Sequence, residues 1–223
     1  MSEAIKIDIW SDIACPWCYI GKRKFEAGSG LFSEAGEDRA VEVEYHSFEL
    51  SPDTPVDFDG SEVDFLAGHK GISSDQVGQM LERVTGIASS VGLDYDYDIL
   101  KHTNTIKAHE LLHFAKAQGK QLEMAERLFK AYFTEGRHIG RVEDLADLAA
   151  DIGLDRAAAV ASLESEEFLS DVRADQGLAQ EYGIQGVPFF VVDGRYGVSG
   201  AQDPTTFAQV LEQVWTERAE VPA

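Results

Sequence analysis

Cys15-Pro16-Trp17-Cys18 contains the only two cysteines in a chain of 223 residues, so all sulfur chemistry falls on one short stretch. The alternating run Ile5-Lys6-Ile7-Asp8-Ile9-Trp10 precedes it and reads as a strand; Tyr19 to Phe25 comes after it and reads as a helix. A C-x-x-C between a strand and a helix is a redox signature. At a helix N-terminus, Cys15 would face unsatisfied N–H groups and the positive end of the dipole, which favour the nucleophilic thiolate. Cys18, one turn further in, is shielded and placed to resolve a mixed disulfide. Pro16 suits the first turn, where its missing N–H is not needed. Trp17 offers a flat apolar surface to a substrate at the rim, or packs on a neighbouring loop.

Two other uses of the pair fit less well. Zinc needs about two further ligands, and no second C-x-x-C or close C-x-H pair exists. A structural disulfide closing so short a ring would constrain little of the chain. Redox catalysis is the favoured reading, with no metal and no cofactor expected. A second motif competes for attention: His109-Glu110-Leu111-Leu112-His113 matches H-E-x-x-H on a predicted helix. In zinc peptidases such histidines share a face and the glutamate activates water. Here a third ligand is needed; His102 is poorly spaced for it and Asp and Glu are too numerous to choose among, so two ordinary helical histidines are the expectation. Gly186-Val187-Pro188 opens a later strand, a position where proline removes no ladder donor.

The elements that must position these residues emerge from periodicity. Ile5 to Ser11 predicts a first strand and Pro16 to about Ala27 a helix, with Gly28-Ser29-Gly30 as its break. Val41 to Phe48 alternates and predicts a second strand, completing a β-α-β unit. From about Glu62 to Tyr182 the patterns are helical, beginning at Ser74-Asp75 and continuing from caps at Thr103-Asn104-Thr105. Further helices are expected from Leu122 to Phe133, Val142 to Ile152, Arg156 to Leu163 and Glu166 to Tyr182. Pro188 to Val192, the turn Asp193-Gly194 and the return through Gly200 predict a hairpin, and Pro204 to about Arg218 a last helix. The expected class is α/β: a thioredoxin-like fold (β-α-β … β-β-α) with an inserted all-helical domain. The divisions fall at residues 1–61, 62–180 and 181–223.

Composition narrows the partners. Forty acidic against 19 basic residues give a net charge of −21, a field that repels phosphate backbones and argues against nucleic acid. The acids are spread along the chain, as on a strongly soluble surface or in a salt-adapted protein. No apolar run approaches the roughly 18 residues that span a bilayer, so no membrane partner is expected. The first residues lack the basic and apolar regions of a signal peptide, and a cytoplasmic location is the expectation.

The ordered set resembles the DsbA-like branch of the thioredoxin superfamily, and within it the cytosolic FrnE-like oxidoreductases. The matching pieces are Asp8-Ile9-Trp10-Ser11-Asp12 leading to Cys15-Pro16-Trp17-Cys18, the stretch from Asn104 to His109, Ala131-Tyr132-Phe133, Gly186-Val187-Pro188-Phe189-Phe190 and Ser199-Gly200-Ala201-Gln202. This resemblance covers nearly the whole chain. It implies dithiol–disulfide exchange with Cys15 attacking and Cys18 resolving, a cis bond before Pro188 that turns the Val187 backbone to the redox turn, and Asn104 and His109 on the opposite face of the substrate cleft. Partners would be disulfide- or dithiol-containing proteins, or small thiols such as glutathione. The kappa-type glutathione transferase and 2-hydroxychromene-2-carboxylate isomerase group looks alike in architecture but typically has serine where Cys15 stands. A non-catalytic binding module on the same scaffold is the third reading.

Overall fold

A computed structural model describes residues 4–36 and 39–220. Strand β1 (Ile5–Ser11) leads into helix α1 (Pro16–Glu34), and β2 (Val41–Ser47) comes next. Seven helices succeed it: α2 (Glu62–Lys70), α3 (Ser74–Ser90), α4 (Ile106–Ala117), α5 (Gln121–Phe133), α6 (Val142–Asp151), α7 (Arg156–Glu164) and α8 (Leu169–Glu181). The hairpin β3 (Phe189–Val192) and β4 (Tyr196–Ser199) and helix α9 (Pro204–Glu220) complete the described chain. Among the described residues no helix is long and apolar enough to cross a membrane.

The sheet order is β2-β1-β3-β4, with β1 parallel to β2 and antiparallel to β3. Alternation in β1 decides what each face meets. Ile5, Ile7 and Ile9 point into the main core, where Phe25 of α1, Phe190 of β3 and Phe207 of α9 meet with centroids 4.7–5.6 Å apart. Trp10 and Val191 point to the other face and pack with Ala179 of α8 and Ile184. This is the α/β, thioredoxin-like arrangement with its helical insertion between β2 and β3.

Helix α1 does not stop at Gly28-Ser29-Gly30 but continues to Glu34. The reason lies in α9. A Cβ at Gly28 would stand 2.5 Å from the Pro204 carbonyl oxygen and 2.7 Å from Phe207 Cβ, so the glycine permits close helix contact. Helix α2 is a separate element ahead of Ser74, started by a capping box in which Ser61 and Asp64 each accept the other's backbone N–H. Thr105 is the N-cap of α4, but its side chain makes no capping bond; Asn104 Oδ1 accepts the Ile106 N–H at 2.9 Å instead. The expected start of the eighth helix at Glu166 is also too early, because Glu166 has φ 56° and α8 begins at Leu169.

Candidate functional site

Cys15 is the N-cap of α1, in extended conformation (φ −88°, ψ 113°), with Pro16 at the first helical position. Its N–H donates to the Asp12 carbonyl at 3.1 Å, and its carbonyl accepts the Cys18 N–H at 3.0 Å, closing the turn. Both cysteines are free thiols and both are buried. The Cys15 thiol donates to the Val187 carbonyl oxygen at 3.6 Å, within reach for sulfur. The Val187–Pro188 bond is cis, as the resemblance implies. A Cβ at Gly21 would come within 2.9 Å of Pro188 Cγ, so a bare backbone on α1 gives the proline ring its place. Burial, and then the neighbouring Cys15 sulfur, push the Cys18 thiol well above its ordinary pKa.

Asp12 organises the loop between β1 and α1. Its carboxylate accepts N–H bonds from Leu50 at 2.8 Å and Ala14 at 3.3 Å, and His109 Nε2 stands 3.5 Å away. Burial alone would raise this carboxyl; the His109 ring and the Leu50 N–H outweigh it and hold Asp12 below the usual range. The helical insertion grips α1 from the far side. Tyr19 stacks on Phe129 with centroids 4.9 Å apart, Lys22 and Arg23 pair with Glu126, and the Tyr95 hydroxyl donates to the Pro16 carbonyl at 2.8 Å.

Between this turn and the insertion lies a cavity of ≈ 560 Å³. Cys15, Pro16 and Trp17 line it, and Cys18 does not. Trp17 is 39% exposed at the rim, so it offers its ring to the cavity. The opposite wall comes from α2 and α3, through Phe65, Met80 and Val84 among others, and from Tyr97 and His102. His102 Nδ1 bonds Glu62 Oε2 at 2.8 Å and its ring stacks on Phe65, 3.5 Å between centroids. Among the described residues its Nε2 and the Tyr97 hydroxyl have no hydrogen-bond partner.

Asn104 and His109 are not among the lining residues, although Thr103 and Thr105 are. Asn104 spends its side chain on the Ile106 N–H and the Pro52 carbonyl, while His109 is wholly buried and turned towards Asp12. Their place is behind the wall, where they fix the loops that form it. The lining residues of α2 and α3 are not anticipated from sequence; the Ser61–Asp64 capping box is the available signal for α2.

The three H-E-x-x-H residues turn to separate partners. His109 meets Asp12, Glu110 pairs with Lys107 at 2.9 Å, and His113 Nε2 bonds Asp175 at 3.0 Å and Ser47 at 3.2 Å. Among the described residues, the one group of His, Cys, Asp and Glu close enough to share an ion is Asp8, Glu44 and His46. Lys6 lies 3.0 Å from Asp8, Lys116 pairs with Glu44, and His46 Nδ1 is bonded to Asp175 at 2.7 Å, so these ligand atoms already have partners.

Over 210 residues the chain is 29% identical to the uncharacterized protein YwbO of Bacillus subtilis, covering 93% of this chain and 96% of that protein. The crystal structure of SCO1869 from Streptomyces coelicolor, described as a probable DsbA oxidoreductase, has TM-score 0.89 at 36% identity and covers 98% of this chain and 93% of that one. The cytosolic disulfide reductase DsbM from Pseudomonas aeruginosa, solved also with GSH, has TM-score 0.66 at 20% identity, covering 95% and 99%; that likeness is one of fold. The DSBA-like thioredoxin domain model matches residues 6–212. Because that span runs from β1 into α9 and takes in Cys15, Cys18 and the cis Val187–Pro188 bond, the chain belongs to the DSBA-like thioredoxin domain family.

Proposed function

We propose that the protein is a thiol–disulfide oxidoreductase of the FrnE-like kind, acting through Cys15 and Cys18. One observation carries the reading: Cys15 caps α1 and lines the cavity, while Cys18 sits behind it with its thiol pKa raised. The Cys15 thiolate attacks a substrate disulfide, a mixed disulfide forms and one substrate thiolate leaves. The Cys18 thiolate then attacks Cys15 Sγ, the second substrate thiolate leaves, and Cys15–Cys18 becomes a disulfide. Two electrons pass to the substrate, and protons from the two thiols go with the leaving groups. The reverse sequence oxidises a substrate dithiol with the same atoms. Pro16 and Trp17 shape the turn, and Val187 and Pro188 supply the backbone beside it.

Support for small thiols, glutathione among them, comes from the cavity's size and from the DsbM structure with GSH. The name of that neighbour also favours a cytoplasmic setting, where a lone C-x-x-C is catalytic more often than structural. In the same reading residues 62–180 are the inserted domain and residues 1–61 with 181–223 the redox domain. The test is reduction of insulin with a dithiol donor and oxidation of a reduced test protein. Activity is expected in at least one direction and lost in Cys15→Ser; full activity of that variant in both assays overturns the mechanism. Cys18→Ala is expected to stall the mixed disulfide and hold partners from a cell extract.

A further inference from the structure

The cavity beside Cys15 differs in charge from the molecule around it. The chain has 40 acidic and 19 basic side chains, and its Lys and Arg residues are mostly engaged by acids or carbonyls. Among the described residues Lys70, Arg83 and Lys101 make no hydrogen bond or ion pair. Two of those three line the cavity: Lys70 at the end of α2 and Arg83 within α3. The acids that line it are already satisfied, Glu62 by His102 and Asp12 by the Leu50 and Ala14 N–H groups. His102 Nε2 and the Tyr97 hydroxyl, without a hydrogen-bond partner among the described residues, add polar atoms to the same wall. Lys70 also complements the C-terminal end of the α2 dipole, but that explanation does not reach Arg83, which lies in mid-helix.

We propose that this site selects small disulfides or thiols bearing carboxylates, and that Lys70 and Arg83 are the residues that select them. The inference rests on the exchange reading and names the substrate class for it. A volume of ≈ 560 Å³ suits a small molecule. A net charge of −21 would by itself favour cationic substrates. Two exposed cations with no acidic partner among the described residues, standing at the cavity's edge, reverse that preference locally, where a bound carboxylate is closer than the roughly 10 Å screening length of dilute salt. The apolar wall then packs the carbon chain, and the carboxylate end sets which sulfur faces Cys15.

The experiment compares three probes: 3,3′-dithiodipropionate, 2-hydroxyethyl disulfide and cystamine, which are anionic, neutral and cationic. Each rate constant for oxidation of the reduced protein is divided by that disulfide's rate with a free dithiol, which removes intrinsic reactivity. The parent is expected to prefer the anionic probe over the neutral one and the neutral over the cationic. K70E/R83E is expected to lower the anionic-to-neutral ratio about fivefold, with K70Q/R83Q between, and added salt to shrink the parent's preference. Arg195→Glu makes an equal charge change per residue beside the Asp193–Lys6 contact, at the end of β1 remote from Cys15, and is expected to leave the ratio unchanged. A parent that turns over the neutral probe but prefers cystamine, or a ratio unmoved in K70E/R83E, overturns this inference and leaves the exchange reading standing. A reduced parent that reacts with none of the three also overturns this inference, and the exchange reading falls with it only if insulin reduction and test-protein oxidation are absent as well.

Discussion

The thiol of Cys15 lies 3.6 Å from the backbone oxygen of Val187, although 172 positions separate them in the chain. Strand pairing explains the meeting. Trp10 of β1 is opposite Phe189 of β3 in an antiparallel register, so the segment after Trp10 and the segment before Phe189 emerge at one end of the sheet. The redox turn and the cis-proline loop are therefore neighbours by topology, and Gly21 lets α1 come close enough for Pro188 to pack on it.

The two thiols should be distinguishable in the native protein. Cys15 lines the cavity, whereas Cys18 lies behind it with its pKa raised by burial and by Cys15. At about pH 8, iodoacetamide should label Cys15 at least about tenfold faster than Cys18, whose raised pKa keeps its thiol protonated. Peptide mapping of the reduced protein at short times measures the ratio, and concentrated guanidinium should bring it near unity. Faster labelling of Cys18 would exchange the roles given to the two residues.

Stability should fall as the solution becomes alkaline, and His46 is the reason. Burial alone would lower its pKa, but Asp175 and Asp8, bonded to its two ring nitrogens at 2.7 and 2.8 Å, push it up to about 9. Between about 6.5, the unfolded value, and 9 the folded state holds a proton that the unfolded chain releases. The contribution is therefore complete below about 6.5 and lost as pH rises through the folded value, on the order of 3 kcal/mol at most. Urea midpoints across this window should decline, and Asp175→Asn should flatten the decline. At the acid end Asp175 works oppositely: held well below its ordinary range by His113, His46 and the Ser47 N–H, it stabilises above about pH 4 and loses this as pH falls.

Metal removal should change nothing. His113 is bonded to Asp175 and Ser47, while His109 faces Asp12 at 3.5 Å without a hydrogen bond among the described residues, so the two rings turn to different partners rather than to a shared ion. Dialysis against a chelator is expected to leave the melting temperature and disulfide exchange as they were. His113→Ala, by contrast, should cost about 1–3 kcal/mol, because it leaves a buried carboxylate short of a donor. Stoichiometric zinc in the purified protein, lost together with stability in the double histidine variant, would restore the peptidase reading of the motif.

Features that depend on local pattern were legible in the sequence. Period-two alternation marked β1 and β2, and an isolated C-x-x-C before a helix marked Cys15 and Cys18. The cavity was not legible, because its far wall comes from α2 and α3, more than forty residues from Cys15, and includes charged residues that look in sequence like any solvated face. Asn104 and His109 show the converse. The resemblance implied a cleft for both, but Asn104 hydrogen-bonds the start of α4 and the buried His109 ring faces the acidic Asp12 at 3.5 Å. Gly28 and Gly30 look identical in sequence and have opposite surroundings in space.

That last contrast yields the sharpest stability test. Both glycines lie in α1, where alanine is favoured over glycine by about 1 kcal/mol in a helix interior. Around Gly30 none of the described residues stands within 4 Å of an added Cβ, so Gly30→Ala should realise that gain and raise the melting temperature by about 2–4 °C. At Gly28 the same methyl meets the Pro204 carbonyl at 2.5 Å and Phe207 Cβ at 2.7 Å. Both obstacles are rigidly held, and Phe207 is packed against Phe25 and Phe190 in the main core. Overpacking of this kind costs about 1–3 kcal/mol, enough to cancel the propensity gain or exceed it. Gly28→Ala should therefore melt below Gly30→Ala by several degrees, with α9 moved outwards in its structure. Equal stabilisation by the two substitutions would mean that α1 and α9 are not in close contact at Gly28, and that α1 runs past its glycines for some other reason.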